Sequence, residues 1–239
     1  MRTRSTTNKI SGKFPENRFC GNVLVDATGN GARPDFNAMF PGRQQVGIEM
    51  EIGSGKGTFL VSRAKARPDI NLLGIEYARF YTMFSAARIK REGLQNVKVI
   101  CANAEDFIKN HTPADYLSRL HIYFPDPWPK RKHHKRRLIK PEFVLESRRV
   151  LKPGGLFLVV TDHLGYFYHI REILADFPGL ARVPFSGNAG EDEYLVGTNF
   201  EKKYRREGRD IFKIARMKYA FTKNAEYPST QAAFPAPAR

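Results

Sequence analysis

From Val46 to Asp162 the chain alternates two patterns of apolar and polar positions. Short runs such as VGIEMEI, INLLGIE, VKVICANA, RLHIYF and LFLVVTD are apolar at most positions. Strands of that kind are buried on both faces of a sheet. Between them lie longer stretches in which apolar residues return every three or four positions. TFLVSRAKAR reads as a helix that stops at Pro68, and RFYTMFSAARIKREG places Phe80, Phe84 and Ala87 on one helical face before Gly93 ends it. PEFVLESRRVL reads as a helix with Pro141 in its first turn and KPGG behind it. Strands alternating with amphipathic helices predict a doubly wound α/β fold around a mostly parallel sheet.

The pattern fades at both ends. Residues 1 to 42 carry Arg2, Arg4, Lys9, Lys13 and Arg18 without sustained periodicity, and read as a basic, partly ordered arm. After Asp162 a helix is expected around Tyr166 to Phe177, then an irregular stretch to Gly197. The basic segment TNFEKKYRREGRD and a last strand-like run, IFKIARMKYAF, follow. The Pro- and Ala-rich residues 223 to 239 read as a disordered tail, which leaves 43 to 222 as one domain. No internal repeat is visible.

Charge narrows the partners. Forty Lys and Arg face 24 Asp and Glu, a formal net charge of +16 that points to a polyanion. No apolar run approaches a membrane span, and MRTRSTTNKISGKF lacks the apolar core of a signal peptide, so nucleic acid is a better target than lipid. The two cysteines, Cys20 and Cys101, have no metal-ligand spacing and offer no disulfide framework. A reduced, cytoplasmic protein without a metal site is expected.

Ligands of doubly wound sheets bind beyond the carboxyl ends of the strands. EIGSGKG stands at such an end, with Gly53, Gly55 and Gly57 where the backbone must turn sharply beside a ligand. GSGKGT also suggests a phosphate loop, but Met50 stands where that motif needs its first glycine, and Glu51 would face the phosphate with a carboxylate. An adenosine-bearing, cationic cofactor suits the acids better. Glu76 ends the second strand, where a carboxylate accepts both hydroxyls of a ribose, and Asn103 follows the third, within reach of an adenine edge. Each also has a plainer reading: Glu76 as a helix cap, and Asn103 as the N-cap of NAEDF. S-adenosylmethionine fits better than a dinucleotide, because GxGxG is not the GxGxxG spacing and no pyrophosphate need be held.

IYFPDPWPKRKHHKRR carries the fourth strand into three prolines, an acid and the only tryptophan, then into unbroken Lys, Arg and His from Lys130 to Arg137. Asp126 and Trp128 suit a site for a flat, nitrogen-rich base, and the cations suit the phosphates leading to it. The plainer readings are a core aromatic for Trp128, a helix cap for Asp162, and a solvated helix start for the cations. His121 alternates with apolar positions on its strand and is given no role.

In this order, EIGSGKG, GIE, NA, IYFPDPWPKRKHHKRR, VLKPGG, TD and TNFEKKY resemble the bacterial tRNA (guanine-N7-)-methyltransferase family, from about Val46 to Tyr219. The resemblance implies the seven-stranded class I methyltransferase sheet with an antiparallel last strand. It further implies methyl transfer from S-adenosylmethionine to N7 of a guanosine in the tRNA variable loop. It makes Glu51, Gly53, Gly55, Gly57, Glu76, Asn103, Ala104 and Asp126 cofactor contacts, with Asp126 also catalytic. Lys130, Asp162, Thr198, Asn199, Phe200 and Glu201 become substrate contacts. Lys132, His133, His134, Lys135, Arg136 and Arg137 are placed against RNA. Asn103 departs from the Asp common at its position. Methylation of another planar nitrogen, an adenine amino group or a glutamine amide, is the nearest rival chemistry, and monomer or homodimer stays open.

Overall fold

The computed structural model describes residues 23–25, 34–186 and 197–219. The tail expected from 223 onward and most of the expected arm lie outside them. Eight strands form one sheet: β1 (Leu24–Val25), β2 (Ile48–Ile52), β3 (Asn71–Glu76), β4 (Val97–Cys101), β5 (Leu117–Tyr123), β6 (Leu151–Thr161), β7 (Leu180–Arg182) and β8 (Phe212–Lys218). Their order is β1-β4-β3-β2-β5-β6-β8-β7. β8 runs antiparallel to both neighbours, and every other pairing is parallel. The expected seven-stranded sheet with its antiparallel last strand is therefore present, extended by the short edge strand β1.

β2 is central, with β3 on one side and β5 on the other. The chain winds outward through β3 and β4, then restarts at β5 and winds the other way. A crevice opens where the carboxyl ends of β2 and β5 diverge, the usual ligand position in such sheets. Met50, Leu72, Leu73, Leu120, Phe157 and Val159 are wholly buried, as strands covered on both faces require.

The helices are α1 (Phe36–Met39), α2 (Thr58–Ala66), α3 (Arg79–Arg91), α4 (Ala104–Asp106), α5 (Pro141–Val150), α6 (Leu164–Leu174) and α7 (Asn199–Arg206). A π-helical turn, Phe107–His111, continues α4, and a 3-10 turn, Arg131–Arg136, carries the basic run. Pro141 opens α5, and Gly93 follows α3 at φ 67, both as the sequence indicates.

Three features differ from the sequence reading. The core reaches back before residue 42: Phe36, Met39 and Phe40 are buried beside Phe107 and Ile108, and Val23 packs with Leu60 and Ile89. β7 lies inside the stretch read as irregular. The face of α3 that carries Phe80, Phe84 and Ala87 points to solvent, whereas Thr82, Ser85, Ala86 and Ile89 are buried. A Cβ added at Gly57 would stand 2.8 Å from the Ser85 Cβ, so small residues on α3 permit its close approach to the glycine turn.

Candidate active site

Where the strands diverge, the structure holds a cavity of about 790 Å³. Its floor is the turn after β2. Gly53, Gly55 and Gly57 all have positive φ, 73°, 51° and 68°, which explains glycine at alternate positions. The Gly53 and Ser54 amides donate to Ile75 O at 2.8 and 3.2 Å, pinning the turn to β3.

Three carboxylates line this cavity: Glu51, Glu76 and Asp126. Glu51 is buried to 3% exposure, and its Oε2 has no hydrogen-bond partner. Burial, and secondarily the charge of Glu76, push its carboxyl well above the usual carboxylate range. Ser54 Oγ is likewise buried and unsatisfied. Buried polar atoms without partners are rare, so two in one cavity mark where a ligand's donors belong. Glu76 Oε2 accepts from Gly55 N at 2.9 Å and Oε1 from Ala78 N at 2.8 Å, which ties the glycine turn to the end of β3.

Asp126 is exposed, in a loop bent by positive φ at Phe124 (52°) and Trp128 (43°). Such backbone is strained for an aromatic residue and persists only where its surroundings hold it. Phe124 N donates to Val160 O at 2.7 Å on one side. On the other, Arg137 Nε donates to Pro127 O at 2.9 Å, while its guanidinium stacks over Tyr166 at 4.9 Å. Trp128 lines the cavity beneath the Arg136 guanidinium, 4.9 Å from its ring centre, with His133 edge-on at 5.9 Å. It is therefore a cavity wall and not a core aromatic.

The basic run divides. Lys130, Lys132, Lys135 and Arg136 are exposed, and Arg136 reaches the cavity. Arg137, expected against RNA, is buried to 4%, and burial lowers its pKa. It braces Pro127, and its Nη2 lies 3.0 Å from Nε2 of the half-buried His134. Unlike its exposed neighbours in the run, its side chain packs under the Asp126 loop.

Thr198, Asn199 and Phe200 enter the cavity from the start of α7. Glu201 does not: it is wholly buried, and its carboxylate accepts from Gly197 N at 2.8 Å and Arg205 at 3.4 Å. Thr198 Oγ1 accepts from Glu201 N at 3.0 Å, so this pair caps α7. Asp162 stands off the cavity in an ion pair with Arg209 at 2.9 Å, and His163, not Asp162, caps α6 through Tyr166 N. Asn103 accepts from Asp106 N at 3.1 Å, the capping role, and neither it nor Ala104 lines the cavity.

Several residues were not read from the sequence. Ser54, Lys56, Tyr81, Tyr123 and Lys203 also line the cavity. Behind Tyr123 lies a buried polar chain. Arg63 donates two bonds to Glu49 at 2.9 and 3.0 Å, and His121 Nε2 meets the same carboxylate at 2.9 Å. His121 Nδ1 lies 2.6 Å from the Tyr123 hydroxyl. Bonds and charge from His121 and Arg63 hold Glu49 far below the usual carboxylate range despite its burial, and burial lowers His121. Two glutamates two apart in an apolar strand, Glu49 and Glu51, were the available signal.

Among the described residues no group of three or more His, Cys, Asp or Glu is placed to hold a metal, and no helix is long and apolar enough to cross a membrane.

Residues 45–214 match a family model described as "Putative methyltransferase". A Nitrosococcus oceani protein named tRNA (guanine-N(7)-)-methyltransferase is 37% identical over 165 residues, 69% of each chain. Its namesake from Klebsiella pneumoniae is 34% identical over 186 residues, 77% of each. Among solved structures, 16S rRNA methyltransferase KamB aligns with TM-score 0.57 at 16% identity, covering 79% of this chain and 95% of that one. The aminoglycoside resistance methyltransferase NpmB1 aligns with TM-score 0.52 at 21% identity, covering 72% and 87%. At those identities the likeness is one of fold.

Proposed function

The chain belongs to the tRNA (guanine-N7-)-methyltransferase family, and from that premise we propose that its cavity brings S-adenosylmethionine against N7 of a guanine in the tRNA variable loop. The observation that carries the reading is one cavity lined by two chemically distinct sets of groups. One set is a buried, unsatisfied carboxylate beside a glycine turn, and the other an exposed aspartate near a tryptophan and a cation.

The residues present fit the cofactor. Glu51 Oε2 and Ser54 Oγ lack partners that an ammonium and a hydroxyl or carboxylate would supply, and a cationic ligand relieves the repulsion between Glu51 and Glu76. Glu76, at the end of β3, is the ribose acceptor. When bound, S-adenosylmethionine supplies the electrophilic methyl group. The same acids argue against a nucleotide kinase, since two acidic side chains beside the glycine turn offer a phosphate no positive charge.

Guanine N7 has a free lone pair at neutral pH, so this chain need not remove a proton first. Its residues act by alignment, which is worth about 7 to 11 kcal/mol when reacting atoms are well placed. Asp126 accepts from the guanine edge, and its negative charge favours the positive charge that grows on the purine as N7 is alkylated. Trp128 walls the base, held by Arg136 above and the Arg137-braced loop behind. Asn199 and Phe200 close the opposite side, while Thr198 and Glu201 hold them by capping α7. Lys130, Lys132, Lys135 and Arg136 take the phosphates around the target base.

The test is transfer of a labelled methyl group from S-adenosylmethionine to unmodified tRNA transcripts, mapped by cleavage selective for N7-methylguanosine. Cleavage at one variable-loop guanosine supports the reading. Label at an adenine, or on protein alone, refutes it in favour of another planar nitrogen.

A further inference from the structure

Helix α3 is turned the unexpected way round. Tyr77, Phe80, Tyr81 and Phe84 recur at three- and four-residue intervals, the spacing of a helix face meant for burial, yet they are 78, 55, 40 and 45% exposed. The inward face carries Thr82, Ser85 and Ala86, small enough to let α3 approach Gly57. Large aromatic rings gathered on a surface mark an interaction site.

The surroundings say what kind. Lys56 Nζ lies over Phe84, 5.7 Å from the ring centre, and also lines the cavity. Arg79 and Arg91 are exposed at the two ends of α3, and Arg88 reaches Thr58 between them. The acid that closes the helix, Glu92, already binds Lys65 at 2.6 Å. A second copy of the chain would bring these cations against one another on a protein of net charge +16. A polyanion with flat rings complements both features, the cations taking phosphates and the rings stacking bases. The stripe is continuous with the cavity, because Ala78 and Tyr81 line it.

We propose that the outer face of α3, centred on Phe80 and Phe84, is an RNA-stacking platform that holds unpaired nucleotides of the tRNA beside the cavity. This rests on the tRNA reading above and adds a second contact region, across the cavity from the basic 3-10 turn. Base stacking on an aromatic side chain is worth about 1 to 3 kcal/mol per base, so losing one stacked base weakens binding about fivefold or more.

The test uses the full chain with both rings removed, Phe80→Ala with Phe84→Ala, and the aromatic control Phe80→Tyr with Phe84→Tyr. Affinity for tRNA is measured by filter binding at fixed salt, affinity for S-adenosylmethionine by calorimetry, and assembly by sedimentation velocity. The expected result is tRNA binding at least about fivefold weaker in the alanine variant, near wild type in the tyrosine variant, and unchanged cofactor affinity in both. Unaltered tRNA affinity in the alanine variant overturns the proposal, as does conversion of a wild-type dimer to monomer, which would make the face a self-contact. Should the alanine variant not fold, 4-thiouridine-bearing tRNA photocrosslinked to the wild type decides. Crosslinks within Tyr77 to Arg91 support the platform, and crosslinks confined to other peptides overturn it. Methyl transfer by the wild type is followed in parallel. No transfer to tRNA defeats the functional reading, whereas normal transfer with unchanged variant affinity defeats only the platform.

Discussion

Replacing Glu51 with Gln removes a charge and keeps the shape. In the ligand-free protein Glu51 is buried, Oε2 is unsatisfied, and burial with the nearby Glu76 raises its pKa. A cationic cofactor binds the ionised form, so proton loss from Glu51 is coupled to binding. Affinity should therefore climb by up to one log unit per pH unit from the ordinary carboxylate range upward, and level off above the raised pKa of the free protein. Breaking a buried, charge-assisted contact costs about 2 to 5 kcal/mol, or roughly 30-fold or more in affinity. Glu51→Gln should weaken S-adenosylmethionine by that factor above the plateau and flatten the pH profile below it. The free variant should also be more stable at high pH. A group whose folded pKa is raised loses its stabilising contribution as pH rises through that pKa, and glutamine has none to lose. Calorimetric titrations across pH, with thermal melts of the free proteins, read both effects. A wild-type affinity that does not move with pH, together with a glutamine variant that binds equally well, would refute the assignment of Glu51 to a cationic ligand group.

Three further outcomes follow from the site and one from the buried chain behind it. On the proposed role of Asp126 at the guanine edge, Asp126→Ala should lower methyl transfer at least about 100-fold while the cofactor still binds measurably by calorimetry, the aspartate being exposed rather than part of the buried glycine-turn wall. Neutralising Lys132, Lys135 and Arg136 should flatten the salt dependence of tRNA binding by about 0.7 to 0.9 in log K per log salt for each phosphate no longer neutralised. Arg137→Ala should leave that slope unchanged and instead lower stability by about 1 to 3 kcal/mol in denaturant titrations, by unsatisfying Pro127 O and unstacking Tyr166. Glu49→Ala strands Arg63 and His121 and should cost about 3 to 5 kcal/mol near neutral pH. The folded pKa of Glu49 is depressed, so its contribution exists above the unfolded carboxylate pKa and fades as pH falls; wild type and variant should converge in acid.

The sheet was legible because its strands are buried on both faces and so read as apolar runs, and the acids at their ends converge wherever such a sheet is wound. Glu51, Glu76 and Asp126 meet in one cavity for that reason. The burial of Arg137 was hidden in a run of exposed neighbours; only the 3-10 turn shows that its side chain folds back under Pro127. Helical periodicity in α3 identified a face without saying which side it packs, and the side was decided by the approach of Gly57 to Ser85. Thr198 and Glu201 carried the T-x-x-E capping pattern in plain sight. β1 and β7 were invisible because two or three residues joined to an edge by backbone hydrogen bonds leave no side-chain period. His121 looked like an ordinary strand residue because its partners, Glu49 and Tyr123, come from register between strands and from the i+2 position on its own.

If the cavity delivers a methyl group to guanine N7 without first removing a proton, N7 itself must be the attacking atom. A tRNA carrying 7-deazaguanosine at the methylated position tests it most directly, because carbon replaces only the attacked nitrogen and leaves the phosphates and Watson–Crick edge in place. This tRNA should bind as tightly as the unmodified one, accept no label from S-adenosylmethionine, and inhibit transfer competitively. Label incorporated into the 7-deaza nucleotide, or at the same rate elsewhere in the molecule, would contradict it.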